Sequence, residues 1–268
     1  MAFDKILIVG FGTMTGAMVD GWLNAGSPAS RFEVYHPRKT EVAHGLKVHN
    51  DWPSEQYDAV LLGVKPYMID DVRDGLEPLL GPDTVLISVL AGVELDSYLQ
   101  RFPRAGGIVK FMPNLAVAIG KSPNALFSSG LDDAKRAQVT DLACALGSAE
   151  WLDDEAKFDL VTALAGSGPG FVYRFIDALA AGAHSLGLES DQAERLAVTM
   201  VEGAGALAAA SEHSPRELAQ RVASPGGMTQ KGLDVLDADG ALVSLLTECL
   251  RAARDRGAEM AEEAQKKG

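Results

Sequence analysis

Residues 6–16 have the sequence ILIVGFGTMTG, in which a short apolar run leads directly into a glycine-rich turn. The apolar run predicts a buried strand, and the helical pattern of residues 17–23 predicts a helix after the turn. Gly10 permits the tight turn, and Gly12 lets backbone approach a pyrophosphate, which the free N–H groups of the helix start would bind. This order predicts a dinucleotide site. Its predicted cofactor-binding residues are Gly10, Phe11, Gly12, Thr13 and Met14.

The third glycine of the usual dinucleotide pattern is replaced by Thr15. That glycine normally lets the helix pack closely on the strand, so a β-branched residue predicts a slightly displaced helix, with Gly16 compensating. The motif alone is weak, and an ordinary glycine turn is the alternative. Its position at the first strand-to-helix turn of an alternating series favours dinucleotide binding.

The second predicted strand ends in YHPRK, residues 35–39. Sites specific for NAD carry an acidic residue here, which binds the ribose 2′-hydroxyl. This chain has Arg38 and Lys39 instead, and we predict that they bind the 2′-phosphate of NADPH, with NADH as the alternative cofactor. The competing interpretation is that both are solvated loop charges. His36 is interpreted as a loop residue rather than a catalytic one.

Apolar runs recur between helical stretches through the first half of the chain, which predicts an α/β fold with a doubly wound parallel sheet of Rossmann type. Predicted strands cover residues 5–9, 32–35, 59–64, 84–89 and 107–112, with a further strand at 124–127 and a helix at 132–146. Beyond Trp151 only helical spacing is found. The predicted domains are therefore a dinucleotide-binding domain, residues 1–153, and an all-helical domain for substrate binding and dimerisation, residues 154–268.

Two features stand out in the predicted helical domain. Ser214, Pro215 and Glu217 have the order of a capping box and predict a helix start. Residues 202–210, EGAGALAAA, are unusually small, which suits a tightly packed helix pair or a subunit interface, with an ordinary core helix as the alternative.

The composition of the 268-residue chain restricts its partners and location. A formal net charge of −13 argues against nucleic acid and membrane surfaces. The apolar runs are too short to span a bilayer, and the first residues lack a secretory pattern. Cys144 and Cys249 lack the spacing of a disulfide framework or zinc site, and the histidines match no metal or nucleophile motif. We expect a cytoplasmic protein without a bound metal, whose ligand is a small molecule.

Four further segments resemble the pyrroline-5-carboxylate reductase family. They are GVKP at 63–66, KFMPN at 110–114, AGSGPG at 165–170 and SPGGMT at 224–229. The resemblance extends from about residue 6 to 256, and the last segment is its most specific motif. It implies an enzyme that reduces the C=N bond of 1-pyrroline-5-carboxylate to L-proline with hydride from NAD(P)H. It also implies homodimers formed through the helical domain, often assembled further.

The chain departs from the family pattern at three places. Leu115 and Ala116 replace the usual Thr-Pro after MPN, Tyr67 replaces Gln after VKP, and AGSGPGF replaces SGSGPAY. These changes bear on which imine is preferred. They do not alter the class of reaction that the resemblance implies. The alternatives are an NADP-dependent reductase of a related cyclic imine, a different Rossmann reductase such as a β-hydroxyacid dehydrogenase, or a non-catalytic nucleotide-binding homologue. The SPGG-x-T motif argues against the β-hydroxyacid dehydrogenase.

The substrate site is predicted at residues 224–229. Ser224 is the expected N-cap and Pro225 the first helical residue, which would leave the N–H groups of Gly226 and Gly227 free to bind a carboxylate. The alternative is an ordinary capped helix. In the family the matching threonine lies near the ring nitrogen, so Thr229 is the predicted catalytic residue, where positioning dominates over basicity. Its alternative is a hydroxyl bonded to its own helix.

The remaining predicted cofactor contacts follow two strands. Val64, Lys65 and Pro66 follow one strand at its carboxyl end, where ligands of open α/β sheets bind, so Lys65 is expected on the nicotinamide side. Asn114 follows another strand and is expected to bind the nicotinamide amide or ribose. A structural turn beside Pro113 is the alternative for Asn114.

Overall fold

The computed structural model describes residues 3–265. They form two compact units. The first comprises the described residues up to Ser167 together with those from Ala252 onward, and the second is Gly168–Arg251. No described helix is both long enough and apolar enough to cross a membrane.

A sheet of eight strands forms the centre of the first unit, as far as the described residues extend. The strands are β1 (Ile6–Val9), β2 (Phe32–Tyr35), β3 (Lys47–His49), β4 (Ala59–Leu62), β5 (Val85–Ser88), β6 (Gly107–Met112), β7 (Ser122–Phe127) and β8 (Gly147–Trp151). Their order is β3-β2-β1-β4-β5-β6-β7-β8, with every neighbouring pair parallel except β6 and β7. The sequence order reverses between β1 and β4, where open α/β sheets bind ligands. The predicted doubly wound fold is confirmed.

Helices cover the sheet and make up the second unit. The first unit contains α1 (Thr13–Asn24), α2 (Ile69–Leu76), α3 (Leu95–Arg101), α4 (Asp133–Cys144) and α5 (Phe158–Val161). The second contains α6 (Gly168–Ser185), α7 (Ser190–Ala210), α8 (Pro215–Val222) and α9 (Met228–Leu236), and α10 (Ala241–Gln265) begins there and ends in the first. The predicted capping box is confirmed, because Glu217 N–H donates to Ser214 Oγ at 3.3 Å and Ser214 N–H donates to the Glu217 carboxylate at 2.8 Å.

The central strands are buried on both faces. Ile6, Ile8 and Val34 pack with Trp22 of α1 on one face, and Leu7 packs on the other with residues of α2 and α3. All four residues of β1, β4 and β5 are buried. This is the environment that continuous apolar runs predict.

The apolar pattern of the sequence does not predict β3 and β8, and both are edge strands. Each pairs with one neighbour only, and their residues are half-buried or exposed. An edge strand needs no continuous apolar run, because one side has no strand to cover it and its side chains remain near water. The apolar pattern that predicts central strands therefore does not detect β3 and β8.

The change from strands to helices occurs close to the predicted domain boundary. The last strand ends at Trp151, and a short 3₁₀ helix, Glu155–Lys157, follows. The compact units divide later, after Ser167. The boundary at 153/154, as a division of function, stays a prediction.

The buried carboxylate of Glu33 ties β2 to its surroundings. It lies 2.6 Å from His49 Nε2, accepts the Tyr57 hydroxyl at 2.8 Å, and has the Lys5 and Lys47 ammonium groups at 3.4 Å. Burial by itself raises the pKa of Glu33, but the hydrogen bonds and cations outweigh burial and lower the pKa to about 2. Glu33 is therefore ionised at neutral pH and holds β2, β3 and the segment before β4 together.

The second unit has little core of its own. Among its described residues only Ala193 and Ala197 are buried. Large apolar side chains remain exposed, including Leu186 at 91%, Val235 at 73% and Met228 at 95%. A single chain therefore leaves much apolar surface in contact with water, which in folded proteins marks an interaction site.

The small-residue stretch 202–210 lies on α7 and is exposed apart from half-buried Ala208. Apart from chain neighbours and the backbone of α7 itself, no described atom lies within 4 Å of a Cβ placed on Gly203 or Gly205. The stretch is therefore neither a core helix nor a tight helix pair within one chain. The remaining interpretation, that residues 202–210 form a subunit interface, stays a prediction.

Candidate functional site

The glycine turn between β1 and α1 is fixed by its neighbours. Gly10 has φ +90°, and a Cβ there would lie 3.0 Å from Val64 Cγ1 and 3.1 Å from the Gly63 carbonyl oxygen. A side chain at position 10 would be strained by both the dihedral angle and the contact. Gly10 N–H donates to Tyr35 O at 3.1 Å, and Gly63 N–H donates to Val9 O at 2.9 Å. The turn is thus bound to both neighbouring strands.

The start of α1 forms an open cradle of N–H groups. Gly12 is the N-cap, and its own N–H donates to Thr15 Oγ1 at 3.0 Å. The first helical bond runs from Gly16 N–H to Gly12 O, so the N–H groups of Thr13, Met14 and Thr15 have no acceptor within the helix. The first turn has no acidic residue, and apart from chain neighbours and the backbone of α1 itself no described atom lies within 4 Å of a Cβ on Gly12. This arrangement fits a pyrophosphate.

Gly63 makes room for Thr15. Thr15 is 1% exposed, and a Cβ placed on Gly63 would lie 2.2 Å from its Cγ2. The prediction that Gly16 compensates for Thr15 is wrong, since a Cβ on Gly16 would make only ordinary contact with Phe11 at 3.6 Å. In the usual motif a glycine on the helix allows close packing against the strand. Here Gly63, which follows β4, provides the space instead.

The positive charge at the tip of β2 reaches the glycine turn. Lys39 Nζ donates to the carbonyl oxygen of Phe11 at 2.8 Å, and the side chains of Arg38 and Lys39 are both exposed. The structure therefore brings the predicted 2′-phosphate residue Lys39 to the predicted pyrophosphate turn. Contact of either side chain with a 2′-phosphate stays a prediction.

The segment after β4 contributes packing to this turn. Val64 is half-buried against Gly10, while Lys65 is exposed. The Lys65 carbonyl accepts the Met68 N–H at 2.8 Å, which starts a 3₁₀ helix at Pro66. The predicted contacts of Val64, Lys65 and Pro66 with a cofactor stay predictions.

Asn114 is buried, and its side chain is bonded within the chain. Its Nδ2 donates to Ala165 O at 2.8 Å, and its Oδ1 accepts the Ala116 N–H at 2.8 Å. Ala165 belongs to a π-helix, Thr162–Gly166, closed by a bond from Ser167 N–H to Thr162 O at 3.0 Å. These bonds support the structural alternative, and the nicotinamide contact stays a prediction. The amide links the KFMPN and AGSGPG segments.

The helix start predicted at Ser224 is wrong. α9 begins at Met228 with Gly227 as N-cap, and residues 224–227 form a turn in which Gly227 N–H donates to Ser224 O at 2.9 Å. Gly226 has φ +71°, and proline followed by a glycine at positive φ is the pattern of a type II turn. That preference overrides the expected cap, so Pro225 is not helical and the Gly227 N–H is not free.

The free N–H groups lie directly after this turn, in the first residues of α9. Lys231 N–H donates to Gly227 O, so the N–H groups of Met228, Thr229 and Gln230 have no acceptor within α9. Thr229 is exposed, and its hydroxyl has no hydrogen-bond partner among residues 3–265. The alternative prediction, that the Thr229 hydroxyl bonds to the backbone of its own helix, is therefore wrong.

Comparison with known proteins gives the family. A model described as pyrroline-5-carboxylate reductase dimerisation matches residues 155–260, and one described as NADP oxidoreductase, coenzyme F420-dependent, matches residues 5–92. The pyrroline-5-carboxylate reductase of Pseudomonas aeruginosa is 31% identical over 271 residues, covering 98% of this chain and 99% of that protein. The chain belongs to the pyrroline-5-carboxylate reductase family.

Other members agree in sequence and in fold. The Staphylococcus aureus pyrroline-5-carboxylate reductase is 29% identical, covering 96% of this chain and 97% of that protein. The solved structure of the family member from Coxiella burnetii has a TM-score of 0.89 at 29% identity, covering 96% of this chain and 98% of that one. The Plasmodium falciparum pyrroline carboxylate reductase, solved with NADP bound, has a TM-score of 0.81 at 23% identity, covering 96% and 98%, and shows the fold alone.

The residues that depart from the family pattern differ in exposure, since Ala165 is buried whereas Tyr67 and Leu115 are exposed. Tyr67 is 76% exposed and Leu115 is 53% exposed, and Ala116 N–H caps the turn through Asn114. Two of the departures therefore lie at the surface, and the buried one, Ala165, takes part in the motif through its backbone carbonyl, which accepts the Asn114 side chain.

Metal-binding geometry is not found in the described part of the chain. Among residues 3–265, no group of three or more His, Cys, Asp or Glu side chains is arranged to hold a metal ion. Cys144 and Cys249 are both free thiols. Two of the histidines have other partners, as His44 Nε2 lies 2.5 Å from the Asp20 carboxylate and His184 Nδ1 lies 2.8 Å from Leu188 O.

Proposed function

We propose that this chain reduces the C=N bond of 1-pyrroline-5-carboxylate to L-proline with hydride from NADPH. The observation that carries the proposal is the open start of α9, where three backbone N–H groups and the unbonded hydroxyl of Thr229 face solvent after the Ser-Pro-Gly-Gly turn. A carboxylate matches the N–H groups and a ring nitrogen matches the hydroxyl. Membership of the family supplies the reaction class.

The glycine turn of the first unit fits the cofactor. The free N–H groups of Thr13 and Met14, with the open space over Gly12, suit the pyrophosphate. Lys39 at the same turn and exposed Arg38 suit the 2′-phosphate, so NADPH is preferred to NADH. When bound, NADPH supplies the hydride.

The substrate-binding segment needs only backbone to hold an anion. In a chain of net charge −13, the N–H groups of residues 228–230 and the positive end of the helix dipole provide local attraction for the carboxylate. The Thr229 hydroxyl hydrogen-bonds at the ring nitrogen, which must be protonated for the imine carbon to accept hydride. The hydride adds to that carbon, the C=N π electrons become the nitrogen lone pair, and the product is the neutral secondary amine, which then takes a proton from water to give the ammonium form of proline.

Turnover across a set of imines tests the proposal. Purified protein would be assayed for NADPH oxidation with the five-membered imino acid, its six-membered homologue and an imine lacking the carboxylate, with chiral analysis of the product. We expect the five-membered imino acid to be fastest and L-proline to be formed. Faster turnover of the six-membered ring would identify a reductase of a related imine. Absence of turnover with every imine, while the cofactor binds, would identify a non-catalytic homologue.

We propose that the second unit forms a homodimer, alone or in a larger assembly of dimers. The support is its exposed apolar surface and the match of residues 155–260 to the dimerisation family. Leu207→Glu, at an exposed apolar position of α7, should shift the protein toward monomer in analytical ultracentrifugation. Leu99→Glu, at an exposed apolar position of α3, is the matched control and should leave the assembly unchanged. A wild-type monomer with full activity in dilute solution would contradict the dimer.

A cytoplasmic location is also proposed. Its support is that Cys144 and Cys249 are both free thiols, as expected in a reducing compartment. Fractionation of cells that express the tagged protein checks it, and recovery of the protein outside the cytoplasmic fraction would overturn it.

A further inference from the structure

The imidazole of His36 organises the turn that carries the two predicted phosphate-binding cations. His36 follows β2 and is half-buried. Its Nδ1 lies 3.2 Å from the Arg38 backbone nitrogen and 3.0 Å from the Lys39 backbone nitrogen, and both N–H groups donate to it. The ring therefore stabilises the turn of residues 36–39 by accepting two of its backbone N–H groups.

Asn50 ties the same turn from the outside. Its Nδ2 donates to His36 O at 2.9 Å and to Lys39 O at 2.7 Å, which are the two ends of the turn. His36 N–H also donates to His49 O at 3.0 Å, which continues the pairing of β2 with β3. Together with the Lys39 bond to Phe11 O, these contacts fix a segment that has no regular secondary structure.

The charge state of the ring suits this role. Burial and then the nearby charges of Lys39 and Arg38 lower the pKa of His36 below its usual range. The imidazole is therefore neutral at neutral pH, with Nδ1 as acceptor and the proton on Nε2. Without the imidazole, the backbone N–H groups of Arg38 and Lys39 would be hydrated instead, and the turn would lose two internal hydrogen bonds.

We propose that His36 is a positioning residue for the 2′-phosphate of NADPH, acting through the backbone of Arg38 and Lys39, with Asn50 as its structural partner. The inference rests on the proposed preference for NADPH. A fixed turn lowers the conformational entropy that two long cationic side chains lose when they bind a phosphate. The benefit applies to NADPH alone, because NADH has no group at that position.

Kinetics with both cofactors tests the assignment. His36→Ala should raise KM for NADPH and lower kcat/KM about tenfold, the order of magnitude for two lost neutral hydrogen bonds, while kcat/KM for NADH stays within about twofold. His36→Asn should retain most of the NADPH efficiency, because an asparagine oxygen at this position accepts the N–H two residues later in an Asx turn. Asn50→Ala should give the same NADPH-selective loss as His36→Ala.

Calorimetric titration with 2′,5′-ADP separates this inference from the proposed cofactor preference. Wild type should bind it, and His36→Ala should bind it about tenfold more weakly, whereas His44→Asn, a replacement elsewhere in the β2–β3 connection, should match wild type. Unchanged binding in His36→Ala, or equal losses with NADPH and NADH, would overturn the role of His36. Failure of wild type to bind 2′,5′-ADP would overturn the NADPH preference itself.

Discussion

The molecule contains two glycine turns that each start a helix with free N–H groups, and their surroundings differ. The turn before α1 lies at the end of a fully buried strand, and Gly10 is packed against Val64 and Gly63. Residues 224–226 of the turn before α9 are exposed, and apart from chain neighbours no described atom lies within 4 Å of a Cβ on Gly226. The first turn is held by the core of its own unit, whereas the second is held mainly by its internal hydrogen bond.

This difference indicates that the two turns respond differently to change. Around Gly10 a substitution must disturb packing, so stability and cofactor binding should fall together. Around Gly226 and Thr229 a substitution meets little of the chain, so substrate handling should change with little loss of stability.

The largest effect is expected from Thr229→Ala. Removing the hydroxyl should lower kcat by roughly a hundredfold, the usual range for a lost proton-transfer or positioning group, with NADPH affinity and thermal stability nearly unchanged. Thr229→Ser should retain much of the activity. Steady-state kinetics and NADPH titration measure both, and wild-type efficiency in a folded Thr229→Ala protein would remove Thr229 from the mechanism.

A matched pair of glycine replacements compares the turns directly. Gly10→Ala should destabilise the protein by about 2 kcal/mol, since it combines a positive φ with a close contact to Val64, and it should weaken NADPH binding. Gly226→Ala has a positive φ without such a contact and should cost about 1 kcal/mol. Denaturant unfolding gives both values. Equal losses in the two variants would show that the turns do not differ in this way.

Cofactor selectivity should depend on the charges beside the first turn only. Arg38→Ala combined with Lys39→Ala should lower the ratio of NADPH to NADH efficiency by at least about tenfold, as expected for loss of charge-assisted hydrogen bonds. The KM for the imine should stay the same. An unchanged ratio would show that neither side chain binds the 2′-phosphate.

The smallest effect concerns pH and the sheet beneath the first turn. The pKa of Glu33 is lowered to about 2 in the folded protein from an ordinary value of 4.5. Its stabilisation is therefore complete above the unfolded value and is lost as pH falls from about 4.5 to about 2, by on the order of 1 kcal/mol. Unfolding measured across this range should show a weaker dependence on pH in Glu33→Gln. Parallel pH dependences in the two proteins would contradict this account.

Sequence patterns predicted the parts of the fold that depend on continuous or periodic apolar residues. β1, β4 and β5 are buried on both faces and were found, whereas the edge strands β3 and β8 carry polar residues and were not. The capping box at Ser214 was found because its signal lies within four residues. The free N–H groups of Thr13, Met14 and Thr15 were predicted because the helix start follows a buried strand.

The rest depended on contacts between distant positions or on competing local preferences. The space for Thr15 comes from Gly63, and the bonds of Asn50 to the turn after β2 join neighbouring strands, so neither is visible along the chain. At Ser224 two local signals competed, and the type II turn formed by Pro225 and Gly226 prevailed over the N-cap. Asn114 was noticed for its position at a strand end, but its partner Ala165 lies in a π-helix that no sequence pattern indicated.

The contact between Thr15 and Gly63 has a consequence for how such chains evolve and are found. Gly63→Ala alone would place a methyl group 2.2 Å from the Thr15 side chain, whereas the same change beside Thr15→Gly would keep only a tight contact of 3.2 Å with the Gly10 carbonyl oxygen. The two sites should therefore covary in volume, a small residue at one permitting a larger residue at the other. A search restricted to three glycines in the first turn would miss this chain, while one that counts the combined size of both positions would retain it.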